Sequence, residues 1–204
     1  MGSPDLLARL GLFADEGFLD APVCESVVLE MRSASGEAAE VYTAENPEQL
    51  EEGVRLRQRQ AKKVKPADSV KSLLSERLEQ VRPELEQKFD VRLGGFEPPQ
   101  FLVYRPGDFH QAHHDTEPDA AEEIARRKVS VVVFLNDQSE EPREGSYGGG
   151  SLVLGGLVPG FGDETRGLPV ALPAGSIVAF RSDVLHEVKP VTHGARFTTV
   201  SWFY

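Results

Sequence analysis

The spacing of apolar residues divides the chain into a helical first part and a strand-rich second part. Residues 68–90 carry an apolar side chain about every 3.6 positions, which predicts an amphipathic helix lying on an apolar surface. Residues 4–34 also read as helical, with a break at Gly17 and a restart for which Asp20 is a suitable N-cap. We therefore expect at least two helices ahead of the strands.

The stretch between these helices, residues 35–65, is polar and rich in charge. Its acidic residues come first and its basic residues, from Arg55 to Lys65, come after them. Such a pattern indicates a solvated and partly mobile loop. The alternative is that the basic half is a flap covering a substrate.

Everything after Pro99 changes to short β-branched or aromatic runs separated by Gly, Pro, Asn and Asp. The runs are QFLVYRP, RKVSVVVFLND, GGSLVLGG, GSIVAF, HEVKPV and RFTTVSWFY. This pattern is typical of strands and turns, and it predicts a sandwich or small barrel with the earlier helices packed outside it. We expect one domain over residues 1–204, with 1–98 supporting a core formed by 99–204.

The composition and net charge limit the kinds of molecule that the chain is expected to bind. The chain has 204 residues and a net charge of −11, which argues against nucleic acid and anionic membranes as partners and favours a small molecule or a protein. Its single cysteine, Cys24, permits no internal disulfide and no thiolate cluster, and it reads as a buried reduced thiol. No run approaches the ~20 apolar residues of a membrane span, so we expect a soluble, cytoplasmic protein.

Three of the five histidines fall in FHQAHHDTE, residues 109–117. Successive side chains of a strand point to opposite faces, so His113 shares a face with Asp115 while His114 points away. A third metal ligand must come from elsewhere. His186 opens a strand and is the better candidate, because His193 lies between Pro and Gly and reads as an exposed turn residue.

Two imidazoles and one carboxylate on one side of an ion leave its other side open, as in non-haem iron(II) oxygenases, although zinc also fits this ligand count. Arg196 adds a second feature. A strand, a turn and a second strand follow one another from His186 to Arg196, which predicts a hairpin with His186 opposite a residue near Val200 and Arg196 about 13 Å along the ladder. There its guanidinium suits the far carboxylate of a five-carbon diacid chelating the metal, and Thr198 and Trp202 share its face.

These segments resemble the iron(II)- and 2-oxoglutarate-dependent dioxygenases, in particular their prolyl 4-hydroxylase-like branch. The resemblance rests on YRPGDFHQAHHDT, RKVSVVVFLND, GGSLVL, LPAGSIVAF, RSDVLHEVKPV and GARFTTVSWFY, which occur in family order over about residues 99–204. It implies a double-stranded β-helix, or jelly roll. It also implies iron held by His113, Asp115 and His186, and Arg196 paired with the distal carboxylate of 2-oxoglutarate.

The resemblance also places Tyr104 near the cosubstrate or the substrate. Some protein prolyl hydroxylases carry a tyrosine near Val133 that binds the cosubstrate, and this chain does not, so Tyr104 and Thr198 are the candidates to replace that contact. His110 and His114 are expected to be structural or rim residues with outer hydrogen bonds at most.

The expected activity is hydroxylation of an unactivated C–H bond with Fe(II), 2-oxoglutarate and O2, and ascorbate is left open as an accessory cofactor. A peptidyl residue, proline first, is the leading substrate by analogy. A free amino acid or other small metabolite is the alternative, and a non-catalytic metal-binding jelly-roll module is the rival of another class. Residues 55–65 and 137–149 are the two segments expected to close over a substrate.

Overall fold

A computed structural model describes residues 4–39, 58–117, 121–157 and 167–204. In chain order the elements are α1 (Pro4–Arg9), β1 (Phe13–Asp15), α2 (Ala21–Ser33), β2 (Gly36–Ala38), β3 (Arg59–Gln60), β4 (Lys62–Val64), α3 (Asp68–Phe89), β5 (Gln100–Tyr104), β6 (Phe109–His113), α4 (Glu122–Ala125), β7 (Val129–Phe134), β8 (Tyr147–Gly149), β9 (Leu152–Leu154), β10 (Leu168–Val170), β11 (Ile177–Arg181), β12 (His186–Val188), β13 (Val191–Gly194) and β14 (Arg196–Phe203).

The strands form two large sheets and one small one. A seven-stranded sheet has the order β1-β11-β7-β14-β5-β4-β2, a five-stranded sheet has the order β10-β9-β12-β6-β3, and β13 pairs with β8. The ladders between these strands are all antiparallel. Two facing antiparallel sheets with helices outside them are the jelly roll that the sequence predicts, and this prediction is confirmed.

The central strand β7 shows why the apolar run VSVVVF is continuous. Val129, Val131 and Val133 pack outward against the helices, whereas Val132 and Phe134 pack inward against residues of the five-stranded sheet. A strand covered on both faces carries apolar residues at successive positions instead of alternate ones. Part of the space between the two sheets is therefore filled by an apolar core. The other part is a pocket.

The amphipathic helix predicted for residues 68–90 is confirmed as α3, which packs on the outer face of the seven-stranded sheet. Its stripe of Leu74, Leu78 and Leu85 is at most 2% exposed and contacts the sheet together with α2. Each fully buried leucine stabilises the fold by roughly 1.5–3 kcal/mol. Pro83 lies inside the helix and does not end it.

Two readings of the first half of the chain need correction. The stretch from residue 4 to 34 is not all helical, because Phe13–Asp15 forms strand β1 and pairs with β11. Asp20 is the N-cap of α2, as predicted, although its side chain makes no capping hydrogen bond. Part of the predicted loop, residues 35–65, is strand: β2, β3 and β4 extend the two sheets. Residues 40–57 lie outside the described ranges.

The predicted hairpin between His186 and Arg196 is wrong. Strand β12 pairs with β6 and β9 in the five-stranded sheet, whereas β14 pairs with β5 and β7 in the seven-stranded sheet. Pro190, which has no backbone N–H to continue a ladder, follows the end of β12, and the chain crosses between the sheets through β13. His193 belongs to β13 and its ring lies against Gly148, so it is not an exposed turn residue.

Candidate active site

His113 and His186 lie directly opposite each other on neighbouring strands. They are paired in the β6 and β12 register, and their ring centroids are 4.1 Å apart. Asp115 follows β6 by two residues, with its carboxylate oxygens 3.5 Å from His113 Nε2 and 3.4 Å from His186 Nε2. One ligand atom from each residue lies within 4.8 Å of the others. The three groups could therefore hold one metal ion.

Backbone carbonyls orient both imidazoles. His113 Nδ1 lies 2.8 Å from the carbonyl oxygen of Gln111, and His186 Nδ1 lies 3.0 Å from that of Val184. A carbonyl oxygen can only accept, so each Nδ1 carries the proton and donates it. Each Nε2 then presents its lone pair toward Asp115, which is the tautomer that a metal ligand needs.

Asp115 is held by its backbone as well as by its carboxylate. Its N–H donates to the Ser182 carbonyl at 2.9 Å, and its own carbonyl accepts from Arg127 Nη1 at 3.2 Å. Burial raises the pKa of Asp115. His186, His113 and the Ser130 hydroxyl act against burial, and the pKa falls well below its ordinary value. The carboxylate is therefore ionised and ready to bind a cation.

His186 is kept neutral by its surroundings. Burial lowers the pKa of His186 to about 4; the Asp115 charge opposes this shift, and His113 adds to it. At neutral pH the imidazole therefore carries no proton on Nε2 and needs none removed before it binds a metal.

A pocket of about 110 Å³ lies between the two sheets and includes the three candidate ligands. At its wall Arg196 is 1% exposed, and its Nε and Nη2 atoms have no hydrogen-bond partner among the described residues. Its guanidinium lies over the rings of Tyr104 and Phe134, at 5.3 and 5.6 Å from their centroids. Burying a guanidinium without a neighbouring anion costs folding free energy, so this position is suited to an anionic ligand.

The remaining predicted residues also line the pocket. Thr198, Val200 and Trp202 alternate along β14 on the face of Arg196, as counting by twos along the strand predicts. Tyr104 pairs with Arg196 in the register of β5 and β14. The Thr198 hydroxyl donates to the Val133 carbonyl at 2.6 Å, so its proton is already used within the sheet.

Strand counting on the sequence did not place five titratable lining residues at the pocket: His110, His114, Arg59, Lys63 and Arg127. His114, which was predicted to point away, is exposed but lines the pocket without joining the three clustered ligands. His110 stacks on His113 with 3.7 Å between the ring centroids, although the two residues are three positions apart. A register shift in the pairing of β6 with β12 accompanies this arrangement, because an extra residue in one strand interrupts its alternation. Burial, followed by His113 and Arg59, lowers the pKa of His110 well below its ordinary value.

The two segments expected to close over a substrate differ in the structure. Arg59 and Lys63, from the basic segment, line the pocket, whereas residues 55–57 lie outside the described ranges. Of the described residues in 137–149, none lines the pocket. Gln138 and Ser139 instead bond to strand β8 and the residues after it.

The family profile of the 2OG-Fe(II) oxygenase superfamily matches residues 99–204. The chain belongs to this superfamily. The matched residues contain the whole His-Asp-His cluster together with Arg196. The superfamily uses Fe(II), 2-oxoglutarate and O2, and the residues present fit them. Two neutral imidazoles and a carboxylate suit Fe(II). The buried guanidinium of Arg196, two of whose nitrogens find no partner in the described part of the chain, suits one end of a dicarboxylate.

Curated hydroxylases resemble about half of this chain. A PKHD-type hydroxylase of Cupriavidus metallidurans is 37% identical over 109 residues, and the PKHD-type hydroxylase PiuC of Pseudomonas aeruginosa is 34% identical over 109 residues. In both cases the match covers 52% of this chain and 42% of the relative. The chain thus matches less than half the length of these relatives.

Solved oxygenase structures match almost the whole chain. A prolyl-4-hydroxylase of Pseudomonas putida has a TM-score of 0.67 and 27% identity, covering 98% of this chain and 95% of its own. A prolyl hydroxylase from Trichoplax adhaerens, in complex with a hypoxia inducible factor oxygen degradation domain peptide fragment, has a TM-score of 0.72. It is 16% identical and covers 100% of this chain and 87% of its own, so it supports the fold alone.

Among the described residues, no helix combines the length and the apolar character needed to cross a bilayer.

Proposed function

We propose that this protein is an Fe(II)- and 2-oxoglutarate-dependent dioxygenase that hydroxylates an unactivated C–H bond. The observation that carries the proposal is that Arg196 lines the same pocket as the His-Asp-His cluster, and that its buried Nε and Nη2 have no hydrogen-bond partner among the described residues. A metal site alone does not require a buried cation nearby. A metal site that binds a dicarboxylate does, because the far carboxylate needs a partner.

In this proposal His113, Asp115 and His186 hold Fe(II) from the side of the five-stranded sheet. Arg196 binds the distal carboxylate of 2-oxoglutarate from the seven-stranded sheet opposite. When bound, iron and 2-oxoglutarate supply O2 activation coupled to oxidative decarboxylation. The protein orients the reactants and excludes water, and no side chain is needed as a general base.

The contacts around Arg196 assign different roles to Tyr104 and Thr198. Tyr104 and Phe134 place ring faces against the guanidinium, which stabilises the cation before the cosubstrate arrives. We assign Tyr104 to the cosubstrate wall. Thr198 forms part of the same wall, but because its hydroxyl donates to Val133 it offers a bound carboxylate no proton in this arrangement.

For the substrate we propose a residue in a peptide or protein, proline first. The support is the likeness to the Pseudomonas putida prolyl-4-hydroxylase over 98% of the chain. A free amino acid is the second candidate, and a specific observation favours it: Arg59 and Lys63 both line the pocket, which is how a site for a substrate carboxylate is expected to look. A non-catalytic metal-binding module would account for the histidines, but it would not account for the buried guanidinium of Arg196 in the same pocket.

The test begins with metal-free protein under anaerobic conditions. Addition of Fe(II) and 2-oxoglutarate should produce a weak visible charge-transfer band, and admission of O2 should then release succinate. Fe(II) alone and 2-oxoglutarate alone are the controls and should give no band. If Fe(II) binds but 2-oxoglutarate changes neither the spectrum nor the succinate yield, the protein is a metal-binding module and the proposal is wrong.

Product identity requires mass spectrometry. Incubation with proline-containing peptides and with free amino acids should give a product heavier by one oxygen atom in one of the two classes. A product among the peptides supports the leading substrate, and a product among the free amino acids supports the second.

A further inference from the structure

One segment of the pocket wall joins the two sheets. Strand β3 pairs with β6 of the five-stranded sheet, and β4 pairs with β5 of the seven-stranded sheet. Only Ala61 separates these two short strands, and it is 9% exposed. The chain therefore crosses from one sheet to the other within residues 59–64, along one side of the pocket.

This crossing places one cation on each sheet. Arg59 pairs with His110 in the register of β3 and β6 and is 9% exposed. Lys63 pairs with Leu102 in the register of β4 and β5. The side chains of Arg59 and Lys63 both line the pocket. Val64, the next residue on β4, packs in the apolar cluster on the outer side of the same sheet, so Lys63 is on the inner face of the strand.

The described lining of the pocket carries more basic side chains than acidic ones. The lining includes four basic side chains, Arg59, Lys63, Arg127 and Arg196, and one carboxylate, Asp115. Arg127 is engaged by Glu97 at 2.6 and 2.8 Å. Arg196 is assigned above to 2-oxoglutarate, and Asp115 to the metal.

Lys63 is a basic side chain of the pocket that has neither a protein partner among the described residues nor an assigned ligand. No carboxylate of a described residue lies within ion-pair distance of its Nζ, whereas its neighbours Lys65 and Lys71 are both paired with acids. In a chain of net charge −11, acidic side chains for pairing are plentiful. A lysine on the inner face of a strand that has no acidic partner among the described residues is suited to an anion that arrives with the substrate.

We infer that Lys63, with Arg59 beside it across the crossing, binds a carboxylate of the substrate. This assignment rests on the proposed function and narrows its substrate to molecules with a carboxylate near the carbon that is hydroxylated. Two sources share this chemistry: the α-carboxylate of a free amino acid, and an acidic side chain next to the target residue of a peptide.

The test uses two pairs of probes that differ only in a carboxylate and its amide: L-proline with L-prolinamide, and acetyl-Glu-Pro-amide with acetyl-Gln-Pro-amide. Each probe is titrated into the anaerobic enzyme with Fe(II) and 2-oxoglutarate, and the change in the visible band gives its dissociation constant. In the wild type the acid of one pair should bind about tenfold more tightly than its amide, the effect of one charge-assisted hydrogen bond. The pair that shows the preference identifies the source of the carboxylate.

Variants of β4 attribute the preference to one side chain. Lys63→Met should abolish the preference for the acid and Lys63→Arg should restore it. Lys62→Met changes the adjacent lysine, which does not line the pocket, and should keep the wild-type preference. Apparent affinity for 2-oxoglutarate is measured alongside, since the rival assignment for Lys63 is the cosubstrate.

The assignment is overturned if neither acid is preferred to its amide, or if the preference survives in Lys63→Met. It is also overturned if Lys63→Met weakens 2-oxoglutarate binding and leaves the preference intact. Absence of the visible band in the wild type is a different result: it contradicts the proposed function itself, and the substrate assignment falls with it.

Discussion

Arg127 donates a hydrogen bond from Nη1 to the backbone carbonyl of Asp115 at 3.2 Å. The same guanidinium donates hydrogen bonds from Nε and Nη2 to the Glu97 carboxylate. It also lies 4.0 Å from the centroid of the Trp202 ring. The arginine thereby ties the candidate metal ligand Asp115 to the end of β14 on the opposite sheet. Because its hydrogen bond is to the backbone of Asp115 and not to the carboxylate, we expect Arg127 to position this residue.

Loss of this tie should weaken metal binding. Outer contacts of metal ligands typically change metal affinity about 10- to 100-fold, so Arg127→Met should weaken Fe(II) binding by about tenfold or more. Arg127→Lys keeps the charge but not the two-pronged contact with Glu97, and should recover little of the affinity. Competition with a metal-sensitive dye measures both. Unchanged affinity in Arg127→Met would show that Asp115 is held without it.

The assignment of ligands within FHQAHHDTE can be tested one histidine at a time. His113→Ala and His186→Ala should each abolish tight Fe(II) binding, because two remaining ligands make a poor site. His114→Ala should retain it, since His114 is exposed and is not one of the three clustered residues. Titration of the metal-free proteins with Co(II), followed by its visible spectrum, distinguishes the variants. Loss of binding in His114→Ala would mean that the ligand set is wrong.

Acid should destabilise the metal-free protein through His186. Its pKa is lowered to about 4 in the folded state, against an ordinary value of 6.5 in the unfolded chain. Between these values the unfolded state binds more protons than the folded state, so the free energy of unfolding falls as pH falls from 6.5 toward 4. The shift corresponds to roughly 3 kcal/mol. Urea unfolding across this range measures it.

The control for this pH dependence is His186→Asn, which cannot titrate. Its free energy of unfolding should fall less steeply than that of the wild type over the same range. His110, whose pKa is lowered well below 6.5, and Asp115, whose pKa is lowered well below 3.8, also make folding less stable as pH falls and remain in the variant, so a reduced slope should persist. Equal slopes in wild type and variant would contradict the assignment of a depressed pKa to His186.

The packing of α3 on the seven-stranded sheet sets a stability prediction. Leu78 is 2% exposed in the apolar cluster below α3, so Leu78→Ala should lower the free energy of unfolding by about 2–5 kcal/mol. Leu29→Ala on α2 is the matched control. Leu29 is 64% exposed, and its loss should change stability by no more than about 0.5 kcal/mol. A small effect at Leu78 would mean that α3 contributes little to the fold.

The strands and the amphipathic helix could be predicted because their signals are local. The run in β7 and the stripe in α3 each report burial of neighbouring residues. The pairing of strands could not be predicted in the same way. Residues 186–196 read as a hairpin, yet the chain places His186 on one sheet and Arg196 on the other, since which sheet a strand joins depends on partners far away in the sequence.

The candidate ligands were identified by a rule that the structure satisfies only in part. Strand alternation grouped His113 with Asp115, but β6 ends at His113 and Asp115 lies beyond it, where the Ser182 carbonyl holds its backbone. His110, expected to be a structural or rim residue, stacks on His113. The position of Lys63 could not be predicted, because it lies in a charge-rich stretch whose pattern indicates a loop. Its pairing with β5 places it at the pocket.

The central claim is that Arg196 binds the far carboxylate of 2-oxoglutarate while His113, Asp115 and His186 hold iron. The most direct measurement is the affinity of the anaerobic Fe(II) protein for 2-oxoglutarate, read from the visible band, in wild type and in Arg196→Met. Arg181→Met, at an exposed position of β11, is the matched control. The account predicts at least about tenfold weaker 2-oxoglutarate binding in Arg196→Met, with Fe(II) binding retained and the control unchanged. Equal 2-oxoglutarate affinity in a folded Arg196→Met protein would contradict it.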